Sequence, residues 1–255
     1  MADHTLGARV TGHRDRARTA VLEQEGRWLM GRFAPRELLD GIGDYLHRAA
    51  PEREEELMAA IRARAAELAE QDADLPVDGP SRGMLALSSV VLAAFETLLP
   101  LFDGDRVRTI RYLQRVFGAM LRRTVDAAFG ALARREDPLG AVDDACRADF
   151  AMYGDYYETT FERTDGTFEM RIGRCFFRDF FDRHDARPVT TVLCAWDANW
   201  MTALDPALGG LVSERTSLLS LGDDACRFRV HRTDDPLARH SDALDRFGDE
   251  PAPAP

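Results

Sequence analysis

Lysine is absent from the sequence, and every one of its 33 basic residues is arginine. A Schiff-base lysine and the phosphate-binding lysine of a P-loop are therefore excluded. The 44 acidic residues leave a formal charge of −11. This excess of acid argues against binding to nucleic acid or to an anionic membrane, because both need clustered positive charge. We expect neither as a partner.

Cysteine is also scarce, with only Cys146, Cys175, Cys194 and Cys226 in a chain of 255 residues and no CxxC pair among them. Four distant cysteines do not make a disulfide framework for a chain of this length. The first residues lack the apolar segment of a secretory signal. We therefore expect free thiols and a cytoplasmic protein.

Long hydrophobic runs are almost missing. The one candidate, from Met84 to Phe102, is interrupted by Glu96 and Pro100, and a membrane span needs about 20 apolar residues. The run predicts a buried core helix. Its apolar part from Gly83 to Leu99 also allows a homodimer contact.

The apolar periodicity changes near residue 150. Before it, apolar residues recur at helical steps, and a long helix is predicted from the N-cap Asp105 through Val125, after a loop over 72–82. After it, alternating residues around Asp165-Gly166 predict a hairpin, and 211–232 predict a second one. Two helices, 175–184 and 188–203, are predicted between the hairpins.

These elements predict an α+β fold, with an N-terminal helical layer packed on a C-terminal antiparallel sheet of two hairpins with inserted helices. We expect a flexible N-terminus over 1–18 and a helical region over 19–150. An α+β region over 151–233 completes one compact domain with the helices, and a loose tail follows over 234–255.

No GxSxG, HExxH, Walker or GxGxxG motif is present, so chemistry must come from individual residues. Cys175 lies where a strand gives way to a helix, and helix N-terminal amides stabilise a thiolate. Cys194 and Asp197 share a helix face, and Asp197 is a candidate general base. The alternative for each cysteine is a buried apolar role.

Two further possibilities concern ligands. Thiolates suit zinc, so Cys175, Cys194 and Cys226 could hold a metal with Asp197 or His231, but the short-range pairs typical of zinc sites are missing. We expect no metal and no cofactor. Arg215 could clamp a substrate carboxylate, or it could form a surface salt bridge.

Several motifs together resemble the L-2-amino-thiazoline-4-carboxylic acid hydrolase family. They are a strand ending in Cys175, the run Cys194-Ala195-Trp196-Asp197, the pair Arg215-Thr216, and a G-x-x-x-C-x-F pattern over 222–228. The sequence departs from the family pattern at Ala198-Asn199-Trp200. A looser similarity links the G-x-x-x-C-x-F pattern to small-molecule-binding domains of the 4-vinyl reductase type.

The resemblance implies a cytoplasmic enzyme that hydrolyses a C–N bond of a cyclic amidine or thiazoline-type carboxylate. It also allows a ring-opening or ring-closing step of secondary metabolism. We expect Cys175 and Asp197 to be catalytic, with Cys175 as nucleophile or polar anchor. We expect the substrate to contact Cys194, Trp196, Asn199, Arg215 and Cys226. The alternative is a binding or sensor module without catalysis.

Overall fold

A computed structural model describes residues 24–248, and it confirms the α+β class. Helices occupy the N-terminal part, and a five-stranded sheet follows with further helical segments between its strands. Residues 24–28 are helical and continue through a π-helical turn, Leu29–Phe33, into the first long helix.

Six helices form the layer. They are α1 (Ala34–Ala49), α2 (Glu54–Gln71), α3 (Gly79–Leu98), α4 (Arg106–Gly118), α5 (Arg122–Leu132) and α6 (Pro138–Ala151). Helix α3 lies at their centre, and most of its residues are buried.

Helix α3 begins four residues earlier than the sequence predicts, so the predicted loop over 72–82 is shorter. Asp78 is its N-cap: the Asp78 carboxylate accepts a hydrogen bond from the Ser81 amide, and the Ser81 hydroxyl accepts one from the Asp78 amide. This capping box, with Pro80 in the first turn, starts the helix at Gly79.

The stretch Gly79–Phe102 is long and apolar enough to cross a membrane by length and composition, but 67% of its most apolar window is buried within the protein. That burial is typical of the core helix of a globular protein. The homodimer contact expected on this helix stays a prediction.

The prediction of one helix from Asp105 through Val125 is wrong in its second half. Asp105 does cap α4, but the helix ends at Gly118, and Leu121 adopts a left-handed backbone conformation with φ 57°. This conformation disfavours a leucine by roughly 1–2 kcal/mol. The break leaves the Met120 carbonyl free to accept a hydrogen bond from the Trp196 indole, at 3.2 Å.

The sheet has the order β1-β2-β4-β3-β5. Its strands are β1 (Glu158–Arg163), β2 (Thr167–Arg174), β3 (Leu211–Ser217), β4 (Cys226–Arg232) and β5 (Ser241–Asp242). The hairpin predicted around Asp165-Gly166 joins β1 to β2. On the inner face, Phe168, Met170 and Ile172 lie opposite Val230, Phe228 and Cys226.

The sheet is mixed rather than purely antiparallel, because β5 pairs with β3 in the parallel direction. Strand β5 belongs to the segment that we expected to be a loose tail. Up to residue 248 the structure instead holds this segment on the sheet, where Ala243 and Phe247 are buried. An ion pair of Asp242, described below, anchors it.

Helix α7 (Phe176–Arg183) follows β2 directly, with Cys175 at its N-cap position. The next predicted helix, 188–203, is not one regular helix. It is a succession of short α and 3-10 segments over 187–202, here called the segmented helix. One cause is that the carbonyl of Cys194 accepts a hydrogen bond from the Arg215 guanidinium, at 2.9 Å, at the point where the helix type changes.

Candidate functional site

A pocket with a cavity of about 110 Å³ lies between the helical layer and the inner face of the sheet. We call it the central pocket. Its walls come from the π-helical turn, the α4–α5 junction, the end of α6, the β2–α7 junction, the segmented helix and β4. Aromatic side chains dominate these walls: Phe117, Phe150, Tyr153, Tyr157, Phe177, Trp196 and Phe228.

The central pocket brings together five of the seven residues that the sequence singles out. Cys175, Cys194, Trp196, Asp197 and Cys226 all line it. The three thiols reach it from separate elements, and Asp197 joins them from the segmented helix. Arg215 and Asn199 do not line it.

Cys175 has the predicted position at a helix N-terminus, but the pKa of its thiol is raised, whereas the sequence predicted that it would be lowered. Burial raises the pKa of Cys175 above its usual value, and this outweighs the Tyr157 hydrogen bond and the backbone amides of Arg178 and Phe177, which favour the thiolate. The sulfur lies 3.4 Å from the Tyr157 hydroxyl oxygen. Cys175 is therefore a protonated thiol at neutral pH, paired with a phenol.

The other two pocket thiols are also protonated. Burial raises the pKa of Cys194 to about 12, although the nearby Arg215 acts in the opposite direction, and its sulfur lies 3.6 Å from the Ser220 hydroxyl. Burial likewise raises the pKa of Cys226, whose sulfur accepts a hydrogen bond from the Leu219 amide at 3.3 Å. Both thiols serve as walls.

Asp197 is the acid-base group with the most specific environment. Burial raises the pKa of Asp197 to about 6, and its ion pair with Arg215 opposes this rise. Its Oδ2 accepts a hydrogen bond from Arg215 Nη1 at 2.8 Å, and 31% of the side chain remains exposed. A carboxylate that is oriented by an ion pair and titrates near pH 6 suits general acid-base chemistry.

Arg215 occupies neither of the two roles weighed from the sequence. Its side chain is fully buried, so it forms no surface salt bridge, and it does not reach the pocket as a substrate clamp. Nε and Nη2 donate to the two carboxylate oxygens of Asp242, at 2.7 and 2.6 Å, and Nη1 donates to Asp197 and to the Cys194 carbonyl. Arg215 thus orients Asp197 from behind.

Asn199 is buried on the far side of the segmented helix, with only 4% of its surface exposed. Its side-chain nitrogen has no hydrogen-bond partner among residues 24–248. The neighbouring Trp200 packs against Phe129 and Phe228 in the core beneath the sheet. Asn199 therefore does not belong to the pocket wall, where its substrate contact was expected.

Sequence reasoning missed three polar residues of the central pocket: Asp149, Tyr153 and Tyr157. Burial raises the pKa of Asp149 to about 6. Burial also raises the pKa of Tyr153, and the charges of Asp197 and Asp149 add to the effect. Only Asp149 lies on α6, and the two tyrosines follow in the turn that leads to β1. No regular spacing therefore marked the three residues as one group.

A metal site is not formed by the described part of the chain. Within residues 24–248 no group of three or more His, Cys, Asp and Glu side chains could hold a metal ion. His231, considered as a ligand together with the thiols, lines a groove with Glu214 and Arg229 instead of the central pocket. The polar chemistry of the pocket therefore rests on two carboxylates, three thiols and two phenols.

Comparison with known families finds one match. Residues 112–230 match the model of the L-2-amino-thiazoline-4-carboxylic acid hydrolase family. Comparison with curated proteins and comparison with solved structures find no match. The matched range contains Asp149, Cys175, Asp197 and the other thiols of the pocket, so over these residues the resemblance to the L-2-amino-thiazoline-4-carboxylic acid hydrolase family is confirmed.

Proposed function

We propose that the protein is an enzyme that hydrolyses a C–N bond of a small cyclic amidine of the thiazoline type. The observation that carries the proposal is the coincidence of the family match with the central pocket. The matched residues supply an oriented carboxylate, a second carboxylate and a thiol–phenol pair to one small cavity. The family is named for a hydrolase that acts on such a ring.

In the proposed reaction, Asp197 is the general base. Water adds to the amidine carbon, and one water proton goes to the Asp197 carboxylate. Asp197 passes this proton to the ring nitrogen. As the carbonyl forms, the second water proton leaves the oxygen and also reaches that nitrogen through Asp197, while the C–N bond breaks and its electron pair stays with the nitrogen. The products are a carbonyl group and an amine, one water is consumed, and no redox partner is required.

The remaining groups position the substrate in this scheme. The Cys175 thiol and the Tyr157 hydroxyl, 3.4 Å apart, form a polar anchor beside the reacting carbon. Cys175 is assigned as an anchor rather than a nucleophile, because burial raises its pKa and keeps it protonated. Arg215 holds Asp197 in one orientation, which reduces the reorganisation needed for proton transfer.

The test uses 2-amino-2-thiazoline, the unsubstituted ring, with the full-length protein. Mass spectrometry should detect a product that has gained one water and carries a new primary amine. Asp197→Asn should lower kcat by roughly 100-fold or more, the usual contribution of a general base. Asp144→Asn, on the exposed face of α6, is the control and should leave turnover unchanged.

Absence of product with the wild-type protein, or equal turnover by Asp197→Asn, would contradict the proposal. A second candidate function, ligand binding without catalysis, is favoured by one observation: the pocket walls are mainly apolar and its thiols are protonated. It predicts saturable binding of the same ring with no product. The same experiment therefore separates the two functions.

A further inference from the structure

We propose that the substrate of the central pocket carries a cationic amidine on an apolar body and has no carboxylate group. This inference rests on the proposed function and names the substrate class of the same site. It differs from the expectation drawn from the sequence, in which Arg215 would clamp a substrate carboxylate.

The charges that line the pocket are all negative. Asp149 and Asp197 lie on its walls, none of the described residues that line it is Arg or His, and the sequence contains no lysine. A carboxylate that left water for this cavity would face two acidic side chains without a counter-charge. Burying an unpaired charge is strongly unfavourable, whereas an amidinium would be stabilised by both acids.

The guanidinium beneath the pocket is not free to supply the missing positive charge. Arg215 is fully buried, and its donors are bound to Asp242, to Asp197 and to the carbonyl of Cys194. If Arg215 turned towards a ligand, it would leave two carboxylates without their partner. This would be costly, because removing one member of a buried ion pair leaves an uncompensated charge.

Two of the neutral hydrogen-bond donors in the pocket are also engaged. The Trp196 indole N–H donates to the carbonyl of Met120, and the Tyr157 hydroxyl lies within hydrogen-bond distance of Cys175. The charged groups that remain for a ligand are acceptors, namely the oxygens of Asp149 and Asp197, beside the Tyr153 hydroxyl, which can donate or accept. Acceptors match the N–H groups of an amidinium and not the oxygens of a carboxylate.

The apolar body of the proposed substrate is inferred from pocket walls that lie outside the matched residues 112–230. Leu29, Met30 and Leu87 contribute walls from the N-terminal helices. Leu29 and Met30 belong to the π-helical turn, and such turns often occur at functional sites. Together with Phe117 and Phe150 they surround a ligand with apolar and aromatic surface, which also favours a planar cation through cation–π contact.

The experiment compares the binding of two ligands that have a similar shape and differ in charge, one with an isopropyl group and one with a carboxylate. In 2-amino-4-isopropyl-2-thiazoline, the isopropyl group has the branched outline of the carboxylate in 2-amino-2-thiazoline-4-carboxylate. We expect calorimetry at pH 8 to give a Kd about 100-fold lower for the isopropyl compound, because it buries no unpaired anion. Equal or tighter binding of the carboxylate, or no binding of either compound, would overturn the inference.

Two variants test whether the acidic walls cause the preference. Asp149→Asn should weaken binding of the isopropyl compound by about tenfold, since it removes one counter-charge of the amidinium. Asp144→Asn changes an exposed carboxylate on the same helix and should leave the Kd unchanged. Equal effects of the two variants would contradict the role given to Asp149.

Product analysis keeps the two proposals separate. If the isopropyl compound binds more tightly but no hydrolysis product forms from any ring, the proposed function fails and the ligand class stands. If the carboxylate compound is hydrolysed with the higher kcat/KM, the ligand class fails and the hydrolase stands.

Discussion

The buried ion network of Arg215 predicts a large and selective loss of stability when Asp242 loses its charge. In Asp242→Asn one oxygen remains to accept the hydrogen bonds of Arg215 Nε and of the Leu244 amide. The new amide nitrogen, however, would face Arg215 Nη2, which now donates to a carboxylate oxygen at 2.6 Å. The variant therefore changes charge and leaves shape nearly intact.

The size of the effect follows from burial. The Arg215 side chain is 0% exposed and the Asp242 side chain 17%, and breaking such a buried pair destabilises a protein by roughly 3–5 kcal/mol. Asp197 still pairs with Arg215, so we expect the lower end, about 3 kcal/mol. For a protein of this size that corresponds to a fall in Tm of about 6–12 °C.

The matched control is Asp224→Asn. Asp224 also forms two hydrogen bonds with one guanidinium, that of Arg227, both at 2.7 Å, but its side chain is 68% exposed. Urea unfolding followed by tryptophan fluorescence should show a much lower midpoint for Asp242→Asn and an almost unchanged one for Asp224→Asn. Similar midpoints for the two variants would refute the reasoning that burial makes the Arg215 network important for stability.

Three further predictions concern the central pocket and the helices beside it. Because burial raises the pKa of Asp149 to about 6, the folded state binds this proton more tightly than the unfolded state. The stabilising effect is complete below about pH 4 and is lost as pH rises through 6. Urea titrations should therefore show Asp149→Asn gaining up to about 3 kcal/mol over wild type between pH 4 and 8; a difference independent of pH would contradict this. Gly26→Ala should lower Tm and ligand affinity, because the added methyl would overlap the Met152 carbonyl. In Gly130→Ala the added methyl meets no atom within 4 Å, and the change should stabilise the helix by about 0.5–1 kcal/mol. Calorimetric scans of both variants check this. Cys175→Ser should keep measurable turnover of 2-amino-2-thiazoline if Cys175 is a polar anchor, and its complete inactivity together with a trapped covalent adduct of wild type would show a nucleophile instead.

Local sequence patterns predicted most of the fold. The Asp165-Gly166 turn with alternating apolar residues fixed the first hairpin, and the N-cap Asp105 and the strand-to-helix change at Cys175 are where the sequence placed them. These features depend on neighbours within a few residues. Long-range contacts account for the differences. The Met120 carbonyl accepts a hydrogen bond from the Trp196 indole at the place where the sequence predicts that α4 continues. The Cys194 carbonyl accepts one from Arg215 within the segment that was predicted to be a single regular helix.

The pocket could be predicted only in part for the same reason. The thiols and Asp197 were recognised from their residue type and motif, and the fold brings them together. The partner of Arg215 was not recognised, because Asp242 lies 27 residues away in a segment whose composition resembles a loose tail. The acidity of Cys175 was predicted in the wrong direction, because the helix N-terminus is visible in the sequence and the burial that outweighs it is not.

The dependence of kcat/KM on pH for 2-amino-2-thiazoline tests the central claim most directly, because burial places the pKa of the Asp197 carboxylate near 6 and raises that of the Cys175 thiol above its usual value. If the Asp197 carboxylate, whose pKa is about 6, is the general base, kcat/KM should rise about tenfold per pH unit below 6 and become level above pH 7. Asp242→Asn should shift the inflection to lower pH, since the charge of Asp242 raises the pKa of Asp197. A kcat/KM that continues to rise through pH 9 would contradict the account and assign the reaction to the Cys175 thiolate.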